Sequence, residues 1–355
     1  VFDRRRLLRT GALAAALAGT AGVIGQYLVR RADASESRAA VRIPTPTDGA
    51  PPPPAGADLQ IPGLTSFITP NDRFYRVDTA LFVPSVNADT WKLRIHGMVD
   101  HAITLDYPQL LARPLIERDV TLTCVSNEVG GDYIGNARWI GAPLKDLLEE
   151  AGVRPGASQI VSRSADGFTV GTPTTIAMDG RDAMLAVAMN GEPLPLEHGF
   201  PVRMVVPGLY GYVSATKWLV DIELSTFEAF DAYWIERGWA KQAPIKTESR
   251  IDTPRNRADV PVGQVAVAGI AWAQHRGIEG VDVRVDDGPW MPAQLAVQDT
   301  VDTWRQWVLR WDAAAGDHLL SVRATDGTGA AQVESPVPPF PDGATGDHTI
   351  TVHVS

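Results

Sequence analysis

Residues 119–131 read DVTLTCVSNEVGG. Val120, Leu122 and Cys124 alternate with Thr121 and Thr123, the period-two pattern of a strand with one apolar face. That strand ends at the only cysteine of the 355-residue chain, and Gly130 and Gly131 follow, where backbone can turn sharply or approach a ligand closely. Three roles are open to Cys124. It can be a small buried hydrophobe. It can be a nucleophile, which needs a histidine base, and no cysteine-protease signature surrounds it. It can be a thiolate metal ligand, for which soft sulfur suits a transition metal.

Outward from this strand, WKLRIHG (91–97) and KWLVDIELS (217–225) alternate in the same way and predict strands. GAPLKDLLEEAG (141–152) predicts a short helix. Pro143 stands near its first turn, Leu144, Leu147, Leu148 and Ala151 form its buried face, and Gly152 closes it. The last hundred residues change character. VDVRVDDGPW (281–290), WVLRW (307–311) and HTITVHVS (348–355) are short alternating strands spaced as in a seven-strand-like β-sandwich. The expected organisation is therefore an α+β domain at 67–258 followed by an all-β immunoglobulin-like sandwich at 259–355.

The N-terminus carries a different signal. Residues 3–31, DRRRLLRTGALAAALAGTAGVIGQYLVRR, place an arginine cluster before an apolar run of roughly 20 residues, enough to span a bilayer as a helix. Residues 1–31 are expected to be a transmembrane anchor or a twin-arginine-like export signal. The denser charge before the run places residue 1 in the cytoplasm and the domains outside the cell membrane. The chain opens on Val1, and further sequence upstream is expected. Residues 32–66, with PTPTDGAPPPPAG at 44–56, read as an extended proline-rich spacer holding the domains off the membrane.

Composition excludes several classes. Lys and Arg total 32 against 42 Asp and Glu, a net charge of -10, so the chain lacks the basic balance of a nucleic-acid binder. One cysteine permits no internal disulfide. The seven histidines are scattered without zinc-ligand spacing. The ten tryptophans fall mostly at strand positions and suit core packing. Within this acidic chain, MNGEPLPLEHGFPVRMVVPGLYGYVSATKW (189–218) concentrates glycines, prolines and basic groups. His198, Arg203 and Lys217 offer donors to an anionic heterocycle, and Pro201 and Pro207 set the ends of a strand.

Four stretches in this order, NDRFYRVD (71–78), TLTCVSNEVGGDYIGNARW (121–139), MNGEPLPLEHGFPVRMVVPG (189–208) and SATKW (214–218), resemble the sulfite oxidase family of molybdopterin oxidoreductases, periplasmic methionine sulfoxide reductases included. The resemblance covers about Phe67 to Ser249 and, more weakly, the family's dimerisation domain over 259–355. It implies a molybdenum–molybdopterin cofactor, with Cys124 as the thiolate ligand to molybdenum. It implies cofactor contacts from Phe74, Tyr75 and Arg76, the arginine also reaching substrate. Ser164, His198, Arg203, Ser214, Ala215, Thr216 and Lys217 are implied to hold the pterin and its phosphate. Backbone N–H groups of the Gly211–Thr216 loop would add donors. Asp166 stands near a further pterin contact, and Asn127 and Trp139 are candidates for lining the pocket.

Departures from the family concern the substrate. Sulfite-oxidising members carry an arginine five residues after the cysteine, where this chain has Val129 beside Glu128. They place a tyrosine near the metal, where the register here gives Trp239, with Tyr233 close by. Arg76 is followed by Val77 and Asp78 rather than an Asn-His pair. Lost guanidinium contacts and an acidic neighbour disfavour a dianionic substrate.

The expected activity is oxygen-atom transfer on a small sulfur- or nitrogen-containing substrate, sulfoxide reductase-like or sulfite oxidase-like. With no CxxCH for haem, electrons need a separate carrier: a quinone, a haem protein or a membrane subunit. The family also implies that the sandwich forms homodimers, for which Trp272, Trp290, Trp304, Trp307 and Trp311 are interface as well as core candidates. A reading of a different class is a non-catalytic extracellular binding or scaffold protein that keeps the fold.

Overall fold

Strand alternation and helix periodicity resolve as the sequence predicts in a computed structural model that describes residues 25–355. Two sheets build the first domain. One runs in the order β2 (Ile103–Asp106), β1 (Lys92–Gly97), β10 (Leu219–Ser225), β5 (Gln159–Ser164), β6 (Thr169–Pro173). β1 and β10 pair in parallel with Ile95 opposite Ile222, so most of the domain forms the crossover between them. The other sheet runs β3 (Ile116–Thr123), β4 (Ile134–Pro143), β7 (Met184–Met189), β8 (Glu192–Pro193), with β9 (Arg203–Val205) also on β7. All six residues of β7, MLAVAM, are buried, as befits a strand covered on both faces.

Among the described residues the α-helices are α1 (25–40), α2 (Tyr107–Leu111), α3 (Leu144–Ala151) and α4 (Thr174–Ala177). In α3 the four predicted face residues are fully buried, Pro143 occupies the N-cap and Gly152 closes the helix at φ 69°. The Gly152 N–H donates to Glu149 O at 3.0 Å. Leu147→Ala would open a cavity against β1 and β7. It is expected to cost about 2–5 kcal/mol, read as a lower denaturant midpoint at unchanged slope.

The second domain pairs two sheets over one apolar core. β11 (Glu248–Thr253), β13 (Gly263–Trp272), β17 (Arg305–Ala313) and β16 (Gln294–Leu295) form one. The other is β12 (Ala258–Val260), β19 (His348–Val354), β18 (Gly316–Asp326), β14 (Ile278–Val285), β15 (Met291–Pro292). Val267, Val283, Trp307, Leu320, Val322 and Val352 fill the space between them. The sandwich also takes in Glu248–Thr253, upstream of the boundary expected at 258, because β11 pairs antiparallel with β13. Trp272, Trp304, Trp307 and Trp311 are buried within the chain and are core rather than interface residues. Trp290 lies between the guanidinium groups of Arg284 and Arg323, at 4.5 and 4.3 Å.

The segment expected as a stand-off spacer is a strap. α1 continues through residue 40, and the proline-rich stretch then lies along both domains. Thr47 N donates to Leu115 O at 2.9 Å, Leu59 N to Gln306 Oε1 at 2.6 Å, and Thr65 N to Asp252 Oδ2 at 3.0 Å. Prolines keep it extended, and its remaining amides find partners on the surface it crosses. Of the expected membrane segment at 1–31, residues 1–24 lie outside the described residues. Among the described residues no helix is long and apolar enough to cross a membrane.

A candidate cofactor cleft around Cys124

β3 delivers Cys124 to the end of its sheet, and the chain then turns, with Asn127 N donating to Cys124 O at 3.0 Å. Cys124 N in turn donates to Tyr133 O at 2.9 Å. The second domain grips this strand end. Gln274 Nε2 donates to Thr121 O and Thr123 Oγ1 at 3.1 and 3.0 Å, and Trp304 N donates to Thr121 Oγ1 at 2.8 Å. Arg250 Nη1 donates to Gly131 O at 2.7 Å. Gly130 adopts φ 75°, and a Cβ there would stand 2.3 Å from Nε2 of His348. Gly130→Ala is therefore expected to destabilise the chain twice over. A left-handed non-glycine residue costs roughly 1–2 kcal/mol, and overpacking costs about 1–3 kcal/mol more. Thermal melting of Gly130→Ala checks the sum, and of Gly130→Ala in a His348→Ala background, which removes the clashing ring, the strain alone.

The Cys124 side chain opens on a cleft of about 940 Å³, its open mouth included. Phe74, Tyr75, Cys124, Ser164, Asp166, His198, Arg203, Ala215, Lys217 and Trp239, all singled out from the sequence, line this one space. Their neighbours Phe168, Tyr212 and Trp234 were not singled out. With Trp239 they make an aromatic wall: Trp239 stands 5.9 Å from Tyr212 and 6.3 Å from Trp234, and Phe340 of the sandwich backs it at 5.4 Å. The signal available for Trp234 was its place five residues before Trp239 in the same segment.

Charge in the cleft is uneven. Arg203 is 5% exposed and pairs with no carboxylate among the described residues. Its Nη1 donates to His198 O at 3.3 Å, its Nε has no partner, and its guanidinium stacks 4.9 Å over the Trp139 ring. Burial lowers its pKa to about 10, which still leaves it charged at neutral pH. Ser164 Oγ is likewise buried without a partner. Lys217 differs: its Nζ meets Asp78 Oδ2 at 2.6 Å, and Asp78 also holds Arg76 at 2.7 Å. Burial lowers the Lys217 pKa to about 8, and the bond to Asp78 partly restores it.

His198 is brought down to about 4 by burial and then by the charge of Arg203, so its imidazole is neutral. Its Nε2 lies 3.1 Å from Asn71 O, which assigns the ring proton to Nε2. Burial pushes the Cys124 thiol up, and hydrogen bonds to Ser126 offset part of that rise.

Several expected contacts lie elsewhere. Arg76 turns away from the cleft, pairs with Asp78 and lines a second cavity together with Arg31 and Arg38. Tyr75 lines the cleft while Arg76 lines the second cavity. Ser214 Oγ donates to Leu209 O and Tyr210 O, and Thr216 Oγ1 bonds Ser162 Oγ at 2.6 Å; both hold the loop from behind. The amides of Val213, Ser214 and Ala215 donate within their own turn and are not free for a ligand. Asn127 accepts from Tyr133 N, and together with Glu128 and Val129 it lines a separate small cavity. Glu128 is thus not the acidic neighbour of the cleft. Trp139 lies beneath Arg203, and Tyr233 packs on Phe168 and Trp234 outside the lining.

The family described as "Oxidoreductase molybdopterin binding domain" matches residues 80–234. Sulfite oxidase of Gallus gallus is 30% identical over 323 residues, covering 77% of this chain and 69% of its own. The mitochondrial sulfite oxidase of Homo sapiens is 31% identical over 304 residues, covering 72% of this chain and 55% of its own. The chain thus spans little more than half the length of the mammalian relatives, 58% for that of Rattus norvegicus. In fold, the solved structure of sulfane dehydrogenase SoxCD from Paracoccus pantotrophus matches with a TM-score of 0.70 at 24% identity, over 80% of this chain and 81% of that one. By these relatives the chain belongs to the sulfite oxidase family of molybdopterin oxidoreductases.

Proposed function

We propose that the cleft holds a molybdenum–molybdopterin cofactor and that the protein catalyses oxygen-atom transfer on a small, uncharged sulfur- or nitrogen-containing substrate, with electrons exchanged through a separate carrier. The observation that carries this reading is Arg203, a buried guanidinium with an unpartnered Nε in a cleft that also contains the chain's only thiol. A buried cation without a counter-charge costs several kcal/mol, so the site as folded favours an anionic ligand. A pterin phosphate supplies that charge, and Ser164 Oγ offers a further free polar atom. Nothing in this arrangement favours a non-catalytic scaffold.

The residues then divide by role. Cys124 gives up its proton to serve as ligand; burial opposes that ionisation, so only a bound cation makes the thiolate stable there. When bound, the cofactor supplies the two-electron oxygen-atom chemistry. Arg203 and Lys217 orient its anionic end. His198, neutral and tethered to Asn71, packs edge-on against Phe74 at 5.5 Å and fixes the wall between the cleft and the second cavity. Burial, reinforced by the nearby Cys124, keeps the Tyr75 phenol protonated well above its usual range, so it is a neutral donor beside the sulfur.

The substrate end supports an uncharged ligand. Asp78 pairs with Lys217 and a pterin phosphate takes up the charge of Arg203, which leaves the Asp166 carboxylate without a cation among the described residues. A dianion would meet repulsion there, whereas the Phe168, Tyr212, Trp234 and Trp239 wall suits apolar substituents. The arginine-flanked apolar run supports a place on the outer side of the cell membrane.

The test is protein made in a host with the cofactor pathway, assayed for molybdenum and pterin and then for turnover with artificial electron carriers. Sulfoxides or N-oxides are expected to exceed sulfite at least tenfold in kcat/KM, about 1.4 kcal/mol of transition-state discrimination. A preference for sulfite would refute the substrate assignment, and absence of metal would refute the whole reading.

A further inference from the structure

We propose that the face bearing the cleft mouth lies against a lipid bilayer, with Leu28, Val29, Leu81 and Phe82 in its interfacial layer. α1 shows one flank to the domain. Arg31 Nη2 meets Glu197 at 2.7 Å and Arg38 Nη2 meets Glu192 at 2.7 Å, while the Tyr27 ring packs on Phe82 with centroids 5.0 Å apart. These residues follow helical spacing along one side. The outer flank leaves Leu28 57% and Val29 69% exposed. On the loop that Tyr27 touches, Leu81 is 89%, Phe82 50% and Val77 42% exposed. Two segments far apart in sequence therefore join into one apolar patch. An exposed patch of this kind marks a contact surface.

The chain itself indicates what covers it. The sequence from Leu7 to Ile24 is apolar but for Arg9, Thr10 and Thr20 and runs up to Gly25, the first described residue, so Leu28 and Val29 follow that run within five residues. A bilayer holding the run would meet Leu28 and Val29 first and Leu81 and Phe82 beside them. Arg30, exposed and next to Leu28 and Val29 in α1, adds a positive charge at the patch in a chain whose net charge is -10, as anionic headgroups require. Val77 and Thr79, from the same loop as Leu81, line the cleft mouth. The mouth and the patch thus share an edge, and a carrier or substrate dissolved in the membrane would reach the cleft without crossing bulk water.

This placement needs no bound cofactor, so its test is independent of the proposed chemistry. The full chain, residues 1–355, is reconstituted in vesicles of phosphatidylcholine and phosphatidylglycerol with a nitroxide at Leu81→Cys or, on the sandwich, at Val333→Cys. Val333 is 55% exposed, and the chain without an introduced cysteine supplies the blank for Cys124. The label at 81 is expected to be more accessible to oxygen than to an aqueous nickel chelate, and the label at 333 the reverse. Equal aqueous accessibility at the two positions overturns the proposal, as does a full chain that fails to float with the vesicles. Protection at 81 that appears only when a second protein is added overturns it in favour of a protein partner.

Discussion

Cys124→Ser is expected to yield a folded chain almost free of molybdenum. The side chain sits at a strand end and opens on the cleft rather than packing into either apolar core. Its loss should therefore shift stability by less than about 1 kcal/mol, as for substitutions outside packed sites. The chemistry changes far more. A serine hydroxyl is harder than sulfur and releases its proton far less readily, so the position ceases to be an anionic ligand. Elemental analysis of wild type and variant, purified from the same cofactor-competent host, reads the difference directly. Wild type should approach one molybdenum per chain and the variant should fall at least tenfold, with overlapping thermal melts of the cofactor-free forms. Stoichiometric metal in the variant would remove Cys124 from the site, and an unfolded variant would return it to the role of a packing residue.

Much of this was legible because it is local. α3 could be read from the spacing of Leu144, Leu147, Leu148 and Ala151 between a proline and a glycine, and β1 from Leu93 and Ile95, because helix and strand periods are written residue by residue. The segments bearing His198, Arg203 and Lys217 converge because β9 and the start of β10 bracket one loop. What failed were inferences across turns and across domains. Counting five residues from Cys124 to Val129 ignored two tight turns, Asn127 N to Cys124 O and Gly131 N to Glu128 O, which carry Glu128 and Val129 behind the strand. Arg76 was assigned with Tyr75, but its guanidinium pairs with Asp78, a local ion pair that turns it to the second cavity. The strap at 41–66 looked like a free spacer because its partners, Gln306 and Asp252, come hundreds of residues later. For the same reason nothing near Cys124 announced that Gln274, Arg250 and His348 would hold its loop.

Arg203→Met should move stability in opposite directions with and without cofactor. In the cofactor-free chain the guanidinium is buried, lacks a carboxylate and leaves Nε without a partner, so it is a liability partly relieved by the Trp139 ring and the His198 carbonyl. Methionine keeps much of the side-chain length and packs on the same indole without the charge. Replacing a buried ionic group by a well-packed apolar one is typically neutral or stabilising by about 1–4 kcal/mol. The cofactor-free variant is therefore expected to unfold at equal or higher denaturant concentration than cofactor-free wild type. With cofactor the sign reverses, since removing one partner of a buried charge pair costs about 2–5 kcal/mol of binding. That corresponds to a loss of roughly thirtyfold or more in affinity, at 1.4 kcal/mol per factor of ten. Denaturant titrations of both forms, with pterin retention after gel filtration, give the two signs separately. A variant destabilised in both forms would make Arg203 a structural cation whose role is to bind the domain's own dipoles. A variant that retains pterin would leave the cleft's anion to Lys217, which Asp78 already holds at 2.6 Å, and the electrostatic case for the cofactor's orientation would fall with it.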